Sequence, residues 1–184
     1  KGIVIVNNQG KPRLVKFYHE ISGEEQQQIV IRKIYQQVSK RSESFCNYLE
    51  GCVTEFGDTT KIIYRHYATL FFIFIVDQQE SDLGILDLIQ VFVEALDQTF
   101  ESVCELDIIF HSDKVHYIID EIIMGGMVLE TNLSQIITAI SEQNKLQIAS
   151  NPNGSSSSTS TSSSLSLTSA TVAGKLLSTL SGIS

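Results

Sequence analysis

At 184 residues the chain has room for one domain of ordinary size and a tail, and its 42% of hydrophobic residues can fill a real core. Its formal charge of −8 is unevenly held: residues 1–65 contain ten Lys/Arg and seven Asp/Glu, and residues 66–145 contain two Lys/Arg and fourteen Asp/Glu. So acidic a second half argues against a nucleic-acid footprint, which needs a clustered basic face, and fits a subunit that meets basic protein surfaces.

Ile3–Val6 and Leu14–Tyr18 are β-rich runs joined by Asn-Asn-Gln-Gly-Lys-Pro, a cluster of turn formers, and predict a hairpin. Ser22 lies three residues before Glu25, a capping-box spacing. Val30, Ile34 and Val38 then recur every fourth residue beside Ile31 and Tyr35, so an amphipathic helix follows. Phe45–Thr54 and Lys61–Tyr67 are weaker strand candidates around a Gly57-Asp58 turn. Ala68–Val76 is an uncharged run, stopped by Arg65 and His66 on one side and Asp77 on the other. It is far short of the roughly 20 apolar residues of a helical bilayer span. A run so rich in Phe, Ile and Val predicts a central strand covered on both faces.

Ser81 is placed to cap a second helix over 82–103, in which Ile85, Leu88, Ile89, Phe92, Leu96 and Phe100 keep helical spacing. Asp113–Met124 repeats the pattern through Val115, Ile118, Ile119, Ile122 and Ile123, with Gly125-Gly126 as its stop. A short last helix is predicted from Asn132, with Gln135 at the capping-box position, through Ile136, Ile137 and Ile140. Residues 146–174 contain no charged side chain and 155–164 are all Ser or Thr, which predicts a disordered tail. The expected order is β-β-α-β-β-β-α-α-α, an α+β domain over 1–145 followed by a Ser/Thr-rich low-complexity tail over 146–184.

Little here suggests chemistry. Cys46, Cys52 and Cys104 form no CxxC pair, and His111 and His116 sit five apart, which does not place them on one helix face as metal ligands. Gly10-Lys11 lacks Walker spacing, and no G-x-G-x-x-G follows a strand. No catalytic residue, cofactor or metal is expected, and a binding module is the favoured class. No basic segment ahead of an apolar one marks a signal peptide, so the cytosol is the expected compartment.

Four stretches carry a resemblance: "NNQGKPRLVKFY", "KIIYRHYATLFFIFIVD", "LGILDLIQVFVEALDQTFESVCELDIIFH" and "DEIIMGGMVLETN". Together they closely resemble the small, or sigma, subunit of clathrin-type adaptor complexes over residues 1 to 145. The Pro of "GKPRL", "FCNYLEG", His66, "GILDLIQ" and "GGMVLETN" resemble the adaptor protein complex 3 branch. The resemblance implies a longin-like fold, with a five-stranded, mainly antiparallel sheet between helices. It implies a place in a heterotetramer, packed on a delta-type large subunit and joined by a beta-type large subunit and a medium (mu) subunit. Such a complex acts at Golgi, endosome and vesicle membranes, touches the membrane only as a complex, and sends cargo to lysosomes or related organelles. The alternative is the small subunit of another adaptor or of the coatomer.

The resemblance also implies that the chain, with its large partner, receives acidic dileucine signals, Asp/Glu-x-x-x-Leu-Leu/Ile. Carried over by position, the leucine pocket is lined by Ala68 and Leu70 at the start of the apolar strand. Val93 on the second helix and Val103, Leu106 and Ile108 after it complete the lining. Ser102 stands where relatives carry Asn, and Arg13 of "GKPRL" matches a basic residue that receives the acidic end of the signal.

Overall fold

The computed structural model describes residues 1–18, 23–41, 47–50 and 60–150. Five strands form one sheet in the order β2-β1-β5-β4-β3, antiparallel at every pairing. They are β1 (Gly2–Asn7), β2 (Pro12–Phe17), β3 (Tyr48–Glu50), β4 (Thr60–Tyr67) and β5 (Leu70–Asp77). Every residue of β1 is buried. Alternate side chains serve opposite faces: Ile3 and Ile5 join one core, Val4 and Val6 the other. β5 divides likewise, with Phe72 and Phe74 on the first face and Ile73 and Ile75 on the second. A strand with cover on both sides has no reason to alternate apolar with polar, which is why the run reads as continuous grease.

Helix α1 (Glu24–Val38) covers the smaller face through Val30, Ile31, Ile34 and Val38. Helices α2 (Asp82–Phe100), α4 (Ser112–Ile122) and α5 (Leu133–Ser150) cover the other, packing against one another as well. This is the α+β, helix–sheet–helix architecture that the resemblance implied. Ser81 caps α2 as expected, its hydroxyl accepting from the Gly84 N–H at 3.3 Å. Among the described residues no helix is long and apolar enough to cross a membrane, and no group of His, Cys, Asp or Glu could hold a metal ion.

Several boundaries differ from the sequence reading. The apolar strand starts at Leu70, because Tyr67 and Leu70 pair across a two-residue turn made by Ala68 and Thr69. Helix α1 opens at Gly23, whose φ of 87° is a left-handed value; Ser22 lies outside the described residues. So do most of the Phe45–Thr54 candidate, the Gly57-Asp58 turn, Cys46 and Cys52.

Gly125 and Gly126 (φ 59° and 84°) do not simply stop a helix. They turn a small hairpin between β6 (Ile123–Met124) and β7 (Met127–Val128). Left-handed glycines serve both purposes, so sequence could not separate them. At α5 the Asn132 side chain accepts from Ser134 N–H at 3.0 Å, a genuine cap. The Asn132 N–H goes to Glu130 Oε1 at 2.7 Å, which takes the part foreseen for Gln135. The helix then runs to Ser150, beyond the expected domain end.

Candidate functional site

One end of the sheet gathers the β1–β2 turn, the β4–β5 turn, the end of α2 and a short helix after it. Asn7, the last residue of β1, pairs with Leu70, the first of β5. The neighbouring Asn8 N–H donates to Thr69 O at 2.9 Å, so the two turns lie side by side. Gly10 is required in the first turn. Its φ is 77°, and an added Cβ would sit 2.6 Å from the Tyr35 ring, whose hydroxyl donates to Asn8 O.

Helix α2 ends because Glu101 and Ser102 both adopt left-handed backbone, at φ 50° and 89°. Neither is glycine, and such a conformation costs about 1–2 kcal/mol per residue. Asp97 offsets that cost: its carbonyl takes the Ser102 N–H at 3.2 Å, and its carboxylate takes the Val103 N–H at 3.1 Å. The reversal returns Val103 to the core edge and launches α3 (Glu105–Phe110). Asp107 in the first turn of α3 accepts from Cys104 N–H at 2.8 Å. That backbone hydrogen bond, helped by the Cys104 thiol, holds the Asp107 carboxyl below its ordinary pKa.

The residues anticipated for a leucine pocket divide by burial. Leu70 is 7% exposed and Ile108 is fully buried, so both belong to the main core. Val93 and Val103 are half-buried and pack on that core, while Leu106 stands 58% exposed on α3. Ser102 is exposed, and so is Ala68, which the expectation put in the strand but which occupies the turn at φ 52°. The hairpin register overrode that reading, since nothing about Ala-Thr announces a turn. A cleft of about 350 Å³ lies instead at the opposite end of β1 and β5, among Lys1, Gly2, Tyr18, Asp77, Ile123 and Met127.

Arg13, at the start of β2, meets this region through Glu105, whose Oε1 accepts its Nε–H at 2.7 Å. Asn7 Nδ2 donates to the same oxygen at 3.1 Å. Sequence reading named Arg13 but missed Asn7, Asp97 and Glu105. Asn7 lay inside a run of turn formers and Asp97 bonds only five and six residues ahead, in a stretch that the sequence pattern continued as helix; Glu105 acts across the fold.

The geometry defines a small α+β domain with a charged pair beside partly exposed apolar side chains. The model of the family described as "Clathrin adaptor complex small chain" matches residues 1–147, and the chain belongs to that family. Within it the chain is similar to sigma subunits of AP-3 complexes. It is 62% identical to the AP-3 complex subunit sigma of Dictyostelium discoideum over 83% of this chain and 90% of the relative. It is 59% identical to the human AP-3 complex subunit sigma-2, over 80% of this chain and 76% of that one. A Candida albicans AP-3 complex component is 47% identical over 97% of this chain and 93% of its own length, an alignment that extends into the Ser/Thr-rich segment. A chain in a homology model of the full-length AP-3 complex in a stretched open conformation superposes with a TM-score of 0.63 at 38% identity. That match covers 82% of this chain and 96% of the other.

Proposed function

We propose that the chain is the sigma subunit of an AP-3-type heterotetramer and that, with its large partner, it receives acidic dileucine signals on cargo tails. In this reading it packs directly on a delta-type large subunit and shares the complex with a beta-type large subunit and a mu subunit. It binds and does not catalyse. The complex works on the cytosolic face of Golgi, endosome and vesicle membranes and sends cargo to lysosomes or related organelles. Membrane contact comes through the complex, nucleic acid is not a partner, and the Ser/Thr-rich residues 151–184 after α5 form a separate tail.

One juxtaposition supports the cargo reading most: Arg13 sits 2.7 Å from Glu105, the residue before the exposed Leu106 and two after the half-buried Val103. Burying two signal leucines is worth roughly 3–6 kcal/mol gross. Ordering an extended peptide opposes this, which leaves affinity of micromolar order. Arg13 then supplies charge selectivity more than strength.

The test is peptide binding to assembled complex. Arg13→Ser is expected to weaken an Asp/Glu-x-x-x-Leu-Leu/Ile peptide by roughly tenfold or more, the size of at least one charge-assisted hydrogen bond. A peptide with Gln in place of the acid should scarcely change, and high salt should narrow the difference. Equal losses for both peptides would contradict a role for Arg13 in reading the acid.

A further inference from the structure

Asn7 is one of the polar side chains that the fold buries, at 4% exposure. Its Oδ1 accepts from the backbone N–H groups of Gln9 at 3.0 Å and Lys11 at 2.9 Å. That fixes the amide, so the donor Nδ2 meets Glu105 Oε1. A single carboxylate oxygen thus joins the end of β1, the start of β2 and the first turn of α3. A guanidinium offers five N–H groups in a planar fork. Glu105 engages the Nε edge, and among the described residues neither terminal nitrogen of Arg13 has a hydrogen-bond partner. The pair is partly sheltered, with side chains 22% and 26% exposed.

We propose that Glu105 is the positioning residue of the acidic-signal subsite. Anchored by Asn7, it holds Arg13 by the Nε edge and leaves the two terminal nitrogens as a bidentate receiver for the carboxylate of an incoming Asp or Glu. The inference rests on the dileucine reading above and adds a role for a side chain that never touches the signal. An unanchored arginine would lose rotamer freedom on binding, whereas one already fixed gives up less for each hydrogen bond formed. The negative charge of Glu105 also opposes an incoming acid. At a partly exposed site that repulsion is weak and screened, so positioning outweighs it.

Gln and Ala at position 105 separate the two effects. Gln keeps an Oε1 acceptor for both Arg13 and Asn7 and removes the charge; Ala removes both. The measurement is binding of acid-bearing and Gln-substituted dileucine peptides to assembled complex carrying wild type, Glu105→Gln or Glu105→Ala. The preference for the acid, roughly tenfold in wild type, is expected to persist or grow in Glu105→Gln and to fall to about twofold or less in Glu105→Ala. The Gln-substituted peptide should bind all three alike. A preference that rises in both variants would overturn the positioning role and leave the leucine site standing, because Glu105 would then be only a competing charge. Wild-type complex that binds neither peptide would overturn the dileucine reading together with this inference, and equal binding of both would overturn the acidic subsite and this inference while leaving the leucine site.

Discussion

Val103→Asp in the assembled complex is expected to weaken binding of an Asp/Glu-x-x-x-Leu-Leu/Ile peptide by at least about tenfold, the loss of one leucine's burial. Val103 follows the two left-handed residues and is held by the Asp97 carboxylate through its own N–H. Its side chain is half-buried against the main core, so it lies at a core edge where a ligand's side chain could continue the packing. A carboxylate there would have to be desolvated without a partner when a leucine arrived, which is strongly unfavourable. In the free complex the carboxylate sits at a half-exposed core edge, so assembly should hold at a modest cost in thermal stability. The check is peptide affinity beside the elution profile of the complex. Unchanged affinity with an intact complex would remove the leucine site from this end of the fold.

Phe92→Ala is expected to act on folding and not on recognition. Phe92 is fully buried on α2, and its ring meets Phe72 of β5 edge-on, with centroids 5.9 Å apart and an interplanar angle of 79°. Emptying such a site costs about 3–5 kcal/mol, through lost burial and the cavity left behind. Domains of this size are stable by only about 5–15 kcal/mol. The variant should therefore give little soluble subunit when expressed alone. With its partners it should unfold several degrees below wild type, and the complex that survives should still bind peptide. Wild-type melting temperature and yield would show that the α2–β5 contact is not central to the core.

Much of this architecture could be read from residues alone, and the reasons are physical. β1 and β5 are buried on both faces, so Ile3–Val6 and Phe71–Val76 carry uninterrupted apolar runs. Helix α2 announces itself by its Ser81 cap and by Ile85, Leu88, Ile89, Phe92 and Leu96, all buried at helical spacing. Helix α3 did not, because six residues are too few to show a period. The Ala68-Thr69 turn was hidden for another reason: strand register imposes a left-handed φ on a residue with no turn preference. The candidate site was legible only as positions carried over from a resemblance. Its organising contact joins Arg13 to Glu105 across 92 residues of sequence, and only the fold brings them together.

The central claim, that this is the sigma subunit of an AP-3-type complex, is tested most directly by its partners. The full chain would be tagged, cross-linked in its own cells, purified, and its stoichiometric companions identified by mass spectrometry. The expected result is a delta-type large subunit cross-linked directly to the chain, together with a beta-type large subunit and a mu subunit in equal amounts. Recovery with the large subunit of another adaptor or of the coatomer, or as a free monomer, would contradict the claim.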